Sequence, residues 1–247
     1  MMKKLIFSAT IFLLIVSCND TKTTADTAQV ETSTTDTSSS ISENSDYQSL
    51  FDGKTMDGWR SYQNKAQDSW SVVDGILYCK GSLTDKSDMR ADLITTKQFE
   101  NFDLSLDWKI SPKGNSGVIY MATEEQEASY LSGPEYQIID DNNFPEKLED
   151  WQKTGASYAM YAAPSAHPKP VGEWNNTRIV VNKGHVEHWL NGEKVVDYQL
   201  NSEDWKKKKA EGKWKDAAGY GATPKGHIAL QDHGSEAWFK DIKIKEL

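Results

Sequence analysis

The 247-residue chain has only two cysteines, Cys18 and Cys79. With the first committed elsewhere, no intramolecular disulfide can form, so an exported form must be held by its core alone. It has no basic excess: 28 Lys and Arg stand against 37 Asp and Glu, which argues against nucleic acid or an anionic membrane surface as partner. It lacks a Gly-rich phosphate loop with a following Lys and Ser/Thr, a GxSxG elbow, an HExxH helix and a CxxC pair, which sets aside the chemistries those motifs carry. No repeat of blade length is present, which argues against a propeller. The apolar run from Leu5 to Val16 is too short for a comfortable membrane span.

What is there begins with MMKKLIFSATIFLLIVSCND, where two lysines precede that apolar run and Ser17-Cys18 follows it, the layout of a secretory signal. Ile15-Val16-Ser17-Cys18 resembles a bacterial lipobox, whose cysteine is diacylated and becomes the mature N-terminus. Residues 1–17 are expected to be a lipoprotein signal peptide. Cys18 is then the lipidated residue of an exported protein anchored to the bacterial cell envelope, at the outer membrane on its periplasmic or surface side. More than one acyl chain is needed for such an anchor to be stable. Loss of Lys3 and Lys4 leaves 26 basic against 37 acidic side chains. Residues 18–45 are Thr, Ser, Asp and Glu with almost nothing to bury, and are expected to form a disordered tether. All nine tryptophans and ten tyrosines lie beyond that point, and residues 46–247 suffice for one domain with a good core.

Within this domain the pattern is β. Asp74-Gly75 in SWSVVDGILYCK and Asn191-Gly192 in HVEHWLNGEKVVDY suit the left-handed dihedrals of two-residue hairpin turns. FDLSLDWKI, from Phe102 to Ile110, alternates apolar and polar residues with a period of two. GVIYMA (117–122), PEYQIID (134–140), ASYAMY (156–161), TRIVVN (177–182), HIALQDH (227–233) and AWFKDIKIKEL (237–247) have strand length and composition. In the last, Trp238, Lys240, Ile242 and Ile244 are expected on one face and Phe239, Asp241, Lys243 and Lys245 on the other. That strand is expected to close a sheet beside the N-terminal strands. Only 202–212 reads as a helix, with Ser202 as cap and Gly212 as stop; its run Lys206 to Lys209 is expected to be a solvated face. So many strands joined by Gly, Pro and Asn turns predict an all-β, two-sheet sandwich or jelly roll.

The polar residues that such strands carry are the candidates for chemistry. In GPEYQIIDD, Glu135 and Gln137 share a face while Tyr136, Ile138 and Asp140 point to the other. HIALQDH repeats the division, with Gln231 and His233 on the side of Ala229. Amides, a carboxyl and an imidazole on the open face of a sandwich suit a carbohydrate, whose hydroxyls both donate and accept. Asn115 could overhang this groove from the turn at 113–116, and Tyr120, Tyr158, Tyr161 and Trp189 are nearby aromatic residues, Tyr158 among the substrate-binding candidates.

The segments SLFDGKTMDGW (49–59), NSGVIYM (115–121), GPEYQIIDD (133–141), TGASYAMYAAP (154–164), GEWN (172–175), HWLNGEKV (188–195) and GHIALQDHGSEAWFKDIKIKEL (226–247) resemble, in this order, the 3-keto-disaccharide hydrolase domain family. The resemblance implies a concanavalin A-like jelly-roll sandwich of two antiparallel sheets with a concave carbohydrate-facing groove. It also implies cleavage of glycosides already oxidised to a ketone at carbon 3 by a separate sugar dehydrogenase, as a hydrolase or as a lyase. On that reading Glu135 and His233 are the proton-transfer pair, in an order left open, and Asn115, Gln137, Gln231 and Tyr158 hold the sugar. No cofactor is certain; a divalent metal on Glu135, His233 and Asp140 would need a bulge to turn Asp140 onto their face. Many relatives carry a histidine shortly after the aspartate that ends the EYQ strand, where this chain has Phe144; if that histidine is functional, this protein either uses His167 from the following loop or works differently. Two rivals stand beside this reading: a non-catalytic carbohydrate-binding lipoprotein, and a conventional retaining glucanase. The second needs paired acids along one strand, and Gln137 interrupts them.

Overall fold

The computed structural model describes residues 46–81 and 89–247. The segments expected to be a signal peptide and a tether, with Cys18, lie outside the described residues. Thirteen strands and one α-helix follow in the order β1 (Gln48–Ser49), β2 (Trp59–Ser61), β3 (Trp70–Val73), β4 (Ile76–Lys80), β5 (Leu93–Thr95), β6 (Phe102–Ile110), β7 (Asn115–Ala122), β8 (Glu135–Ile139), β9 (Asn175–Asn182), β10 (His185–Leu190), β11 (Glu193–Gln199), α1 (Glu203–Glu211), β12 (His227–Leu230) and β13 (Glu236–Glu246). The large sheet runs β11-β10-β9-β6-β13-β4-β3, with β1 added against β13, and the small sheet runs β2-β5-β12-β7-β8. Every pairing is antiparallel. This is a concanavalin A-like jelly-roll sandwich.

Both expected hairpins form, with Asp74 and Asn191 at positive φ and a glycine after each, joining β3 to β4 and β10 to β11. The predicted helix is α1, whose Ser202 hydroxyl accepts from the Trp205 amide, filling a donor that the helix itself leaves open.

Three local expectations change. ASYAMY is not a strand: it touches β8 only through the Tyr136–Ser157 bridge and turns back on itself through Ser157–Tyr161, with Ala159 in the left-handed region. Its apolar content serves burial of Ala156 and Met160 rather than extension. The face assignment of β13 holds only in part. Register against β6 slips between Lys240 and Lys243 and Asp241 has positive φ, the signature of a bulge. The bulge puts Ile242 and Ile244 on the same buried side as Ala237 and Phe239, while Trp238 stays outside, stacked on Tyr78 at 5.4 Å. That strand does lie beside N-terminal strands, as expected, pairing β1 and β4, but it sits inside the large sheet, between β6 and β4.

The core lies between the sheets. β6 gives Phe102, Leu104, Leu106, Trp108 and Ile110; facing them are Val118, Tyr120, Tyr136, Ile138, Ile228 and Leu230 of the small sheet. Cys79 is buried here as a free thiol. Among the polar residues buried there is His188 of β10, fully buried, with its ring 4.9 Å from that of Tyr136 and 5.7 Å from that of Tyr120. Its Nδ1 lies 2.9 Å from the Gly155 carbonyl, which can only accept, so Nδ1 carries the proton and Nε2 accepts from the Tyr120 hydroxyl at 2.9 Å. Tyr198 then donates to Tyr120 at 2.6 Å. This chain ties the loop after β8 to the large sheet.

Burial holds the His188 pKa down at about 4, against an ordinary 6.5. The folded imidazole therefore refuses a proton that the unfolded chain accepts, so stability is complete above pH 6.5 and falls as pH drops toward 4. Denaturant unfolding should show wild type losing ~3 kcal/mol more than His188→Asn across that window. Parallel pH profiles would overturn the assignment of a neutral buried imidazole.

Candidate active site

The outer face of the small sheet is divided. One part is apolar, where Tyr62 packs with Ile94, Ile119, Ala122 and Ala229. The other part is a polar cavity of about 220 Å³, lined by Asn115, Tyr130, Glu135, Gln137, Tyr158, Lys213, Gln231 and His233. All six residues proposed from sequence for catalysis and sugar binding meet in it.

Alternation explains why. On β8, Tyr136 and Ile138 enter the core, so Glu135 and Gln137 face out. On β12, Ile228 and Leu230 enter the core, so Ala229 faces out and the chain continues to Gln231. The segment after β12 is stitched to β7: the Gln231 amide donates to the Gly117 carbonyl at 2.9 Å, Ser116 Oγ donates to the Gln231 carbonyl at 2.8 Å, and the Asn115 amide donates to Ser235 Oγ at 2.9 Å. His233 is carried on this turn. The Asp232 amide donates to Asp92 at 2.9 Å, the Gly234 amide donates to Asp232 at 3.0 Å, and the Arg90 guanidinium lies 3.7 Å from the Asp232 carboxylate. Gly234 has a positive φ, which is what calls for glycine there; the nearest atoms to an added Cβ belong to the movable end of the Arg90 side chain.

Glu135 is the most deeply buried ionisable group of the site. It is 4% exposed, and its side chain lies over Gly117, where an added Cβ would approach Oε1 to 2.2 Å. No hydrogen bond to the carboxyl forms among the described residues. Burial first, and the charge of Asp92 second, push its pKa up to about 8 against the partial opposition of Lys213. At neutral pH it is a carboxylic acid with a proton to give. His233 stands at the exposed rim. Surrounding protein, and then the Arg90 and Lys213 cations, hold its pKa below the ordinary value while Asp232 works against them, so at neutral pH it is a free base.

The amides complete the cavity. Gln137 is 2% exposed and Gln231 7% exposed, and the Oε1 atom of each is buried without a partner among the described residues. An orphaned buried acceptor costs ~1–3 kcal/mol, and a bound hydroxyl would satisfy it. Gln137 Nε2 makes one long contact to Asn115 Oδ1, 3.4 Å.

Two lining residues escaped the sequence reading. Tyr130 comes from the short turn before β8. Lys213 comes from the segment after α1, where its Nζ donates to the Tyr158 hydroxyl at 3.2 Å and sits 4.3 Å from that ring. What carries it there is an aromatic stack: Trp205 of α1 on Tyr220 at 6.1 Å and Tyr220 on Trp214 at 4.4 Å. Lys213 follows closely on α1, whose lysines are not all solvated as expected: Lys206 and Lys207 are exposed, but Lys209 donates to the Tyr220 carbonyl at 2.8 Å and Lys208 lies over the Tyr161 ring; nothing in the neighbours of Lys213 distinguishes it in sequence.

Other expectations fail. Of the four aromatic residues named for the groove, only Tyr158 lines it: Tyr120 is in the core, Tyr161 stacks on Tyr198 at 4.6 Å, and Trp189 lies outside β10 under Arg178. Asp140 is not a ligand to anything at this site. Its carboxylate accepts from the amides of Lys113, Asn142 and Asn143 and lines a different cavity, because alternation sends it away from Glu135 and no bulge intervenes. Among the described residues the three-membered cluster with metal-ligand spacing is His185, Glu187 and Asp197, on the outer side of the large sheet and already paired to Lys194. His167 is exposed beside the Asn191 turn and does not line the cavity. Phe144 lies in the turn closed by Asp140, so nothing from that loop supplies a second imidazole.

The same arrangement of strands occurs in known proteins. The sequence profile of the 3-keto-alpha-glucoside-1,2-lyase-like domain matches residues 46–245. A 3-keto-disaccharide hydrolase of Bacteroides thetaiotaomicron is 37% identical over 227 residues, covering 81% of this chain and 78% of that protein. A crystal structure of a candidate glycosyl hydrolase from Parabacteroides distasonis is 42% identical with a TM-score of 0.75, covering 81% of this chain and 94% of the other. A second from that organism is 28% identical with a TM-score of 0.62, covering 81% and 99%. With the profile spanning the whole described domain, this chain belongs to the 3-keto-alpha-glucoside-1,2-lyase-like domain family.

Proposed function

We propose that this protein, a carbohydrate-active, glycoside-cleaving enzyme, acts on sugars that carry a ketone at carbon 3. One observation carries the reading: a protonated, buried Glu135 and a neutral His233 line one pocket. At about 220 Å³ that pocket is below the ~300 Å³ at which sites for drug-sized ligands begin, and suits a single sugar ring. The names of the relatives support the 3-keto class.

The chemistry follows from the two protonation states. A ketone at carbon 3 acidifies the hydrogen on carbon 2. The His233 imidazole takes that proton, and the C–H electron pair becomes an enolate whose oxygen faces the amides of Asn115, Gln137 and Gln231 and the Lys213 ammonium. The enolate electrons then form a bond between carbons 1 and 2, the bond from carbon 1 to the leaving oxygen breaks, and Glu135 delivers its proton to that oxygen. An unsaturated ketone and an alcohol result. Water added across the new double bond, its hydroxyl to carbon 1 and its proton to carbon 2, gives net hydrolysis. A retaining glucanase instead needs two carboxyl groups ~5 Å apart, and here Gln137 fills the intermediate position while Asp140 faces elsewhere. A purely sugar-binding protein has no use for a carboxyl group kept protonated by burial, since an amide would bind as well. Diacylation of Cys18 and supply of substrate by a separate sugar 3-dehydrogenase complete the proposal.

Purified protein incubated with a 3-keto-glucoside and with its unoxidised parent should release product, followed by mass, only from the oxidised sugar; cleavage of the parent alone, or of neither, overturns the reading. Glu135→Gln and His233→Ala should each lower kcat by ~10²-fold or more while still binding the substrate, whereas gradual loss of affinity would mark a binding protein. The rate should be bell-shaped in pH. Its basic limb lies near pH 8, where Glu135 loses its proton, and its acid limb lies below the ordinary histidine value, where His233 gains one.

The same carboxyl group governs stability. Its folded pKa of about 8 exceeds the ordinary 4.5, so its contribution is full below 4.5 and is lost as pH rises through 8. Glu135→Gln should therefore be more stable than wild type at pH 8.5, by up to ~4 kcal/mol, and nearly equal to it at pH 5. A gap independent of pH would refute the buried, protonated state.

A further inference from the structure

Asp92 stands directly before β5 and lines the cavity beside the active pocket rather than the pocket itself. Its main chain is fixed, since its carbonyl accepts from the Tyr62 amide at 2.8 Å. Its two carboxylate oxygens are divided between two turns. Oδ1 accepts from the Asp232 amide at 2.9 Å, and Oδ2 accepts from the Ser129 hydroxyl. Asp232 directly precedes His233 and Ser129 directly precedes Tyr130, and His233 and Tyr130 both line the active pocket. We infer that Asp92 is a positioning residue for the cleavage proposed above: one carboxylate fixes both the turn that carries the base and the turn that leads to the acid. The inference rests on that cleavage reading.

Each turn depends on this link for a physical reason. The Gln231 amide still bonds to β7, but the next amide, that of Asp232, bonds to Asp92 instead. His233 follows at once. A displacement of ~1 Å at a reacting group can cost ~10²-fold in rate, so a tie one residue before the base bears on its alignment. On the other side Ser129 is fully buried, and its carbonyl accepts from the Ser132 and Gly133 amides at 3.1 Å. Glu135 opens β8 two residues after Gly133. Asp92 thus relates the two walls of the pocket without touching the sugar.

The same carboxylate brings charge to the site. Lys65, Arg90, Glu127 and Asp232 share its cavity. Burial raises the Asp92 pKa; the Ser129 and Asp232 donors oppose that rise, Asp232's charge adds to it and Lys65 works against it. Toward Glu135, Asp92 favours the protonated acid and Lys213 the ionised one. Geometry and charge can be separated by substitution. Asparagine keeps both links, because the Ser129 hydroxyl can reverse and accept from the side-chain amide, but removes the charge. Alanine removes both.

The test measures turnover of a 3-keto-glucoside by wild type, Asp92→Asn, Asp92→Ala and Ser129→Ala, and, independently of activity, exchange of the Asp232 amide hydrogen by NMR. In Asp92→Asn, kcat at about pH 6 should fall no more than about threefold. Its basic limb should move to lower pH, because loss of the negative charge makes Glu135 easier to ionise. Asp92→Ala should lower kcat by ~10²-fold and speed Asp232 amide exchange about tenfold or more. Ser129→Ala frees only the second turn, and should lower kcat about tenfold with the Asp232 amide still protected. Should Asp92→Ala not fold, the other two variants carry the test. Variants that melt earlier yet keep the wild-type kcat and basic limb mark Asp92 as a stabiliser of the fold alone and overturn the inference. An Asp232 amide equally protected in Asp92→Ala overturns it too. Inactivity of wild type toward the 3-keto-glucoside is a different result: it overturns the cleavage reading, and the role of Asp92 in cleavage falls with it.

Discussion

The period of two in an antiparallel strand is the constraint on which the site depends. In β7, β8 and β12 every second residue is committed to the space between the sheets, where Val118, Tyr120, Tyr136, Ile138, Ile228 and Leu230 are buried. The residues between them have only the outer face left. Three neighbouring strands under the same rule bring Asn115, Glu135, Gln137 and Gln231 together from positions more than a hundred residues apart in the chain. A one-residue slip in any of these strands would exchange core for site. The stitching of the Gln231 to Ser235 turn onto β7 prevents that slip and places His233 in the same operation.

Within that frame the site is built against local stability. Among the described residues Glu135 is buried without a hydrogen-bond partner, over a glycine whose missing Cβ makes the room. Solvation would favour its ionised form; burial and Asp92 deny it. The two orphaned amide oxygens are in the same condition. Each of these is unfavourable in the free protein and becomes favourable when a polyol with an acceptor for the acid's proton is bound, which is how a binding pocket differs from a well-satisfied sheet face. The core supplies the compensation. The oriented chain from Tyr198 through Tyr120 and His188 to Gly155 locks the loop beyond β8, whose Tyr158 amide donates to the Glu135 carbonyl at 3.0 Å.

How far the sequence was legible varies with the range of the interaction involved. Hairpins at Asp74-Gly75 and Asn191-Gly192, the helix after Ser202 and the alternation of β6 depend on neighbours in the chain, and all were readable. The facing of Glu135 with Gln137, and of Gln231 beyond Ala229, was readable for the same reason. ASYAMY misled because β-favouring residues are also core-favouring ones, and tertiary burial rather than extension explains them. The bulge at Asp241 misled because alternation assumes an unbroken strand, and aspartate at positive φ carries little warning. Lys213 was invisible, since its position is set by the stacking of Trp205, Tyr220 and Trp214 and by nothing in its own neighbourhood.

By itself, then, the amino-acid order determined which side chains could share a face, since that follows from backbone geometry over two residues. It determined equally that the fold would be a β sandwich. What only the tertiary structure decided is which face is dry and what stands beside what. Whether Glu135 is an acid or a carboxylate at neutral pH depends on the protein packed around it and on Asp92 from β5's approach, and whether His233 is free to accept a proton depends on Arg90 and Lys213 arriving from distant segments. Desolvation and Coulomb interaction act through space, and the chain order fixes distances through space only after it has folded.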